Sequence, residues 1–220
     1  MNLMNRRSFL RAAALGIAGS YQPPHPVTKH LIFIVNGAAR KKDYYENEVM
    51  ARNIRRIASE GFVFEEDHCE QISSHDAAFA ELLGVNVNYR LVPSLQIVPQ
   101  VMEECKPRML VWRDMAHDIG HDDYEAYLRV VRRTDAAVGE VFDWVRRHPY
   151  FSANTAIVIR PEFGRDDEVN RHGQLHHSRG FYYTHRVASI FWGPDFKRGV
   201  DRTTVAGRRD LLPSAAIRRG

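Results

Sequence analysis

NTAIVIRPEFGRDDEVNRHGQLHH, residues 154–177, decides the reading of this chain. The β-branched run Ala156-Ile157-Val158-Ile159 stops at Pro161, and a charged loop with a glycine follows at once. That is the pattern of a buried strand delivering a loop to the carboxyl edge of a sheet, where open α/β folds place their sites. The loop carries Glu162, Asp166, Asp167 and Glu168, then His172, His176 and His177. Carboxylates and imidazoles at this density are the ligand types of a divalent cation. A solvated charged loop would share the composition, but not the position directly after a buried strand.

Further apolar runs extend the pattern. Leu31–Val35 ends in Asn36-Gly37, Phe62-Val63-Phe64 follows Gly61, and Val187–Trp192 closes on Gly193-Pro194. Arg108–Trp112 runs into residues 114–123, a second group of ligand types that includes His117 and His121. Helical spacing appears between the runs. Val49, Met50, Ile54 and Ile57 predict a helix over 46–59, and 77–83 predicts another that stops at Gly84. A short helix is expected over 95–105 and a terminal one over 210–217. The longest, 124–147, carries Tyr127, Val130, Val131, Val138, Val141, Phe142 and Val145 on one stripe. Strands alternating with helices predict a three-layer α/β/α sandwich with a mostly parallel central sheet, compact and without a large cap. Ser73 and Ser74 fall where the 77–83 helix begins, either as an N-cap or as hydroxyls offered to an anion at the helix N-terminus.

The 220 residues, 44% of them hydrophobic, suffice for one core. The net charge of +4 is spread over many arginines rather than gathered into a run, which argues against nucleic acid. Asn5-Arg6-Arg7-Ser8-Phe9-Leu10-Arg11 matches the twin-arginine export pattern, and the weakly apolar Ala12–Ala18 is too short to span a bilayer. Residues 1–20 are therefore expected to be a signal peptide, 21–29 a proline-containing linker, and 30–220 the folded domain. The protein is expected in the periplasm or outside the cell, with no transmembrane segment. That compartment permits a disulfide between Cys69 and Cys105 without demanding one.

In order and spacing, these motifs resemble the alkaline phosphatase superfamily, which includes sulfatases and phosphoglycerate mutases. Asn36-Gly37 stands where the family has Asp-Gly. Asn53–Phe64 is similar to the family's Asn-initiated helix, glycine and Phe-containing strand. His117-Asp118-Ile119-Gly120-His121 resembles its Asp-x-x-Gly-His motif, and Asp135 with Gly139 its long helix. Trp192-Gly193-Pro194 and Asp210–Ser214 resemble its closing strand and terminal helix. Ser74, ten residues before Gly84, falls at the nucleophile position of the sulfatase signature. Glu162-Phe163-Gly164-Arg165 resembles a box found in a twin-arginine-exported branch related to sulfatases. The likeness covers nearly all of residues 29–220.

The resemblance implies hydrolysis of a small anionic phosphate or sulfate ester, with Ser74 as nucleophile. It implies a divalent metal (Zn, Ca or Mn) held by Glu162, His121 and one or more of His172, His176 and His177, with Asn36 at the same site. Arg165 or Arg40 would bind the ester oxygens, and His117 would line the substrate side. Asn36 replaces an anionic ligand and Phe163 a histidine, which implies one metal rather than two. Ser74 lacks the x-Pro-x-Arg continuation that formylglycine formation needs, which favours phosphoesterase over typical sulfatase chemistry. The short chain implies a shallow pocket, or one completed by a protein partner. The alternative is a catalytically degenerate member that binds a ligand or partner on the same scaffold.

Overall fold

The computed structural model describes residues 28–69, 72, 109–113 and 116–203. The leader, Ser74, and the helices expected over 77–83, 95–105 and 210–217 lie outside the described residues. So does Cys105.

Among the described residues, six strands form one sheet: β1 (His30–Val35), β2 (Phe62–His68), β3 (Met109–Arg113), β4 (Thr155–Arg160), β5 (Arg186–Trp192) and β6 (Gly199–Asp201). Their spatial order is β3-β1-β4-β5-β2-β6. β1 pairs in parallel with both β3 and β4, and β2 in parallel with β6; β5 runs against both of its neighbours. The sheet is thus mostly parallel, as the continuous apolar runs predict. The short edge strand β6 has no counterpart in the sequence reading.

The described helices are α1 (Arg52–Glu60), α2 (Ala116–Gly120), α3 (Tyr124–Arg147), α4 (Pro149–Asn154) and α5 (Tyr182–His185), with a π-helical turn at Lys42–Glu46. The main core packs Ile54 and Ile57 of α1 and Tyr127, Val131, Val138, Phe142 and Val145 of α3 onto Ile34, Val63, Ile157, Ile159 and Ile190 of the sheet. Each such side chain contributes about 1.5–3 kcal/mol by leaving water.

Two details depart from the sequence reading. The helix expected from residue 46 starts at Arg52, because Asn47 first holds a turn through its side chain, accepting from the Val49 and Met50 N–H groups. Val49 is consequently 86% exposed instead of lying on the helix stripe. On α3, Val141 is also exposed, at the rim of the apolar face.

The α1–α3 contact explains Asn53, Asp135 and Gly139 together. Asp135 Oδ2 accepts from the Asn53 backbone N–H (3.1 Å) and Nδ2 (2.9 Å), and Oδ1 from the Ile54 N–H (2.8 Å). A carboxylate on one helix thereby caps the N-terminus of another. Gly139 leaves room for this, since a Cβ there would lie 2.5 Å from Asn53 Cγ.

Candidate functional site at the carboxyl edge of the sheet

The carboxyl ends of the neighbouring strands β1 and β4 are joined by one buried hydrogen bond. After β1 the chain turns, with the Ala39 N–H donating to the Asn36 C=O at 3.0 Å. Ala38 takes a left-handed conformation, φ +45°, which costs a non-glycine residue about 1–2 kcal/mol. This strain aims the Ala38 N–H at Glu162 Oε2, 3.0 Å away, a charge-assisted bond that offsets the cost. Asn36 and Glu162 are both buried. The Asn36 Oδ1 is buried as well and has no hydrogen-bond partner.

Backbone bonds fold the loop after β4 back onto the α2–α3 junction. The Leu175 N–H donates to the Gly120 C=O (2.9 Å), the Tyr124 N–H to the Gly173 C=O (3.0 Å), and the Asp166 N–H to the His176 C=O (2.8 Å). Three imidazoles meet as a result. His121 Nδ1 lies 2.8 Å from His176 Nδ1, and its Nε2 lies 3.1 Å from His177 Nε2. The Phe163 ring, fully buried, packs 4.8 Å from that of His177.

His172 is not part of this group. It sits exposed at the tip of the loop, in a turn organised by Asn170 Oδ1, and receives the Arg171 Nε–H at 3.0 Å. His117 belongs to α2, but its side chain is outside the described residues, as is Ser74.

The two arginines expected to bind substrate are built into the fold. Arg40 gives Nε–H and one Nη2–H to Asp43 (3.0 Å each), the other Nη2–H to Tyr124 (2.9 Å), and Nη1 to the Asp167 and Asp166 carbonyls (2.6 and 3.4 Å). All five donors of its guanidinium are thereby engaged. Burial opposes charge on Arg40, but the hydrogen bond and charge of Asp43 outweigh it and raise its pKa. Arg165 is 0% exposed, donates to the Leu175 C=O at 2.5 Å, and lies 5.2 Å over the Tyr127 ring. An ester could reach either guanidinium only if these clamps opened.

The carboxylates of Asp166 and Asp167 are likewise structural. Asp166 accepts from the Ser178 N–H, from Ser178 Oγ (2.9 Å) and from Thr184 Oγ1 (3.2 Å), and Asp167 from the Tyr183 N–H (3.0 Å). Sequence patterning did not reveal Asp43, Tyr124 and Tyr127 as partners of this loop. The Tyr127 hydroxyl accepts from the Arg40 N–H and donates to Asp43 Oδ2. Burial, then Asp43, pushes its pKa well above the ordinary tyrosine value. Its place on the α3 apolar stripe gave no sign of the hydroxyl's task. Reaching past β5, Arg160 Nη2 of β4 lies 3.2 Å from Asp67 of β2 and donates to the buried Cys69 thiol at 3.3 Å.

A cation with three protein ligands needs atoms converging on one point about 2.0–2.2 Å away. His121 turns opposite ring nitrogens to His176 and His177, so these facing atoms cannot all bind one ion. Among the described residues, no three His, Cys, Asp or Glu side chains are grouped as a metal site would require. Asn36 Oδ1 is a buried oxygen without a hydrogen-bond partner, but one neutral amide oxygen does not hold a divalent ion. The described residues do not amount to the metal centre that the resemblance implies.

No protein-family model and no curated protein matches the sequence. Solved structures do share its fold. A putative sulfatase from Bacteroides thetaiotaomicron superposes with a TM-score of 0.55 at 12% identity, covering 88% of this chain and 72% of that one. The lipoteichoic acid synthase LtaP from Listeria monocytogenes gives 0.56 at 9% identity, covering 86% and 72%. A phosphonate monoester hydrolase from Silicibacter pomeroyi gives 0.50 at 9%, covering 81% and 71%. At such identities the likeness is one of fold alone: the chain shares a sulfatase-like architecture with these structures.

Proposed function

We propose that this chain is an exported hydrolase of small phosphate or sulfate esters, with its site at the carboxyl edge of β1 and β4. The observation that carries the reading is His121 with another imidazole on each ring nitrogen. A neutral imidazole is both donor and acceptor, so such a group can take a proton at one nitrogen while releasing one at the other. In this reading Ser74 attacks the phosphorus or sulfur and an imidazole takes the hydroxyl proton. The leaving alkoxide receives a proton and departs as alcohol. Water, deprotonated in the same way, then cleaves the serine ester and restores the hydroxyl. Residues 1–20 serve as the twin-arginine leader and 30–220 as the domain. No described helix is long and apolar enough to cross a membrane.

A second reading rests on a different observation. With Arg40 and Arg165 both committed to protein acceptors, the scaffold could bind a ligand or protein partner without turning over an ester. Assays on aryl phosphate and aryl sulfate, with metal content measured on protein purified after export, separate the two. Turnover that falls at least a hundredfold in His121→Ala supports the enzyme. No turnover of either ester by folded protein, with or without added Zn, Ca or Mn, supports the binding protein.

A further inference from the structure

At the amino edge of the sheet, opposite the candidate site, the fold gathers rings from two separate stretches. His30, the first residue of β1, packs on Tyr150 and Phe151 with centroids 5.7 and 5.5 Å apart. Trp144, near the end of α3, lies 5.0 Å from Phe151 and 5.6 Å from His148, on which it stacks. Trp144 and Tyr150 are 52% and 47% exposed. Lys29 projects over the Tyr150 ring at 5.8 Å. Lys29 and Arg147 are exposed, and no ion pair to either occurs among the described residues. Arg146, by contrast, is occupied by Glu60 at 2.8 Å. No single sequence window shows the whole patch, because residues 144–151 are joined there by Lys29 and His30 from the start of β1.

We infer that this aromatic-basic patch, built on Lys29, His30, Trp144, Arg147, Tyr150 and Phe151, seats the protein on an anionic phospholipid surface. The inference does not depend on the hydrolase reading. Tryptophan and tyrosine suit the headgroup layer, where an apolar ring body meets a wet polar tip, and flanking cations favour anionic lipid. Nucleic acid fits less well, since its binding rests on many phosphate contacts and this patch offers two unpaired cations among mostly ring surface. The described structure begins at Thr28 beside the patch, with the Lys29 N–H bound to the Asn154 C=O at 2.8 Å. The strands between patch and site are six residues long in β1 and β4, which sets the two about 20 Å apart. Seated this way, the protein turns its candidate site toward the water.

The test uses the full chain with vesicles of phosphatidylcholine, alone or with about one-third phosphatidylglycerol. Every variant keeps the leader, so differences report the patch. Co-sedimentation should show wild type favouring the anionic vesicles, with affinity at least tenfold lower in Trp144→Ser/Tyr150→Ser and in Lys29→Glu/Arg147→Glu. Brominated lipid should quench a fluorescence component that Trp144→Phe removes, which distinguishes insertion at the patch from attachment through the leader. Unchanged melting temperatures show that the variants fold. Equal vesicle binding by all variants, or no quenching assigned to Trp144, overturns the inference. So does a change in oligomeric state with no effect on vesicles, which would make the patch an interface between copies, and so does a preference for an oligonucleotide competitor over the vesicles.

Discussion

The Tyr44 hydroxyl completes the sheet at Ala188, donating to its C=O and accepting from its N–H, both at 2.6 Å. Ala188 needs this because both neighbouring strands fail it. On one side β2 bulges, placing Glu65 and Glu66 opposite Ala188 alone. On the other side β4 ends, and its register with β5 would put Pro161, which has no N–H, opposite Ala188. Tyr44→Phe keeps the ring and orphans a buried donor and acceptor. The expected loss is about 1–3 kcal/mol in urea unfolding. An unchanged midpoint would show that the gap closes without the hydroxyl.

Stability should fall in alkali. Tyr44 and Tyr127 are fully buried, and burial first of all raises both pKa values well above the ordinary 10.0. Unfolded tyrosines release their protons near pH 10 while these two keep theirs, so above that pH the native state holds more protons. Their contribution is fully present below pH 10 and is lost as pH rises, by up to about 1.4 kcal/mol per pH unit for each group. Urea unfolding from about pH 8 to 11 measures the slope. Tyr44→Phe should make it shallower by one tyrosine's share.

Asp135 and Gly139 act on α1 from across the core. Asp135→Ala removes the acceptor for three N–H groups at the α1 N-terminus and should cost about 1–3 kcal/mol. Asp135→Asn keeps one acceptor oxygen and should fall between. Gly139→Ala forces the Asn53 side chain from its place and should cost a similar amount by overpacking. Thermal unfolding of the three variants orders them. A neutral Asp135→Ala would show that α1 needs no cap from α3.

What could be read from the sequence divides along the same physical line. β1, β4 and β5 were legible because strands covered on both faces are apolar without interruption, and the run at β3 reads the same way in sequence. β6 was not, since Gly199–Asp201 is three residues long and carries no such run. The start of α1 was misplaced because its cap, Asp135, lies about eighty residues away, beyond any local pattern. At the candidate site, the density of His and carboxylate residues after β4 drew attention to the loop that folds onto the α2–α3 junction. It could not sort them, because backbone bonds such as Leu175 to Gly120 decide that His176 and His177 meet His121 while His172 stays at the tip. The surroundings of Arg40 and Arg165 were hidden for a related reason: their buried partners are a tyrosine pair, an aspartate and carbonyl groups that no motif announces.

The contact between Gly120 and Arg165 should govern the histidine cluster. A Cβ at Gly120 would stand 2.5 Å from Arg165 Cζ and 2.8 Å from both Nη atoms. Arg165 is fully buried and bound to the Leu175 carbonyl, so it cannot swing away freely. Gly120→Ala should therefore push the guanidinium, and with it the 161–178 loop, away from α2. The expected cost is about 1–3 kcal/mol. Imidazole nitrogen resonances of His121, His176 and His177 should shift, while that of exposed His172 stays put. Gly180→Ala is the control, since a Cβ there meets nothing within 4 Å. Should Gly120→Ala match this control in both stability and imidazole spectra, the packing of Arg165 against α2 would not be what holds the three imidazoles together.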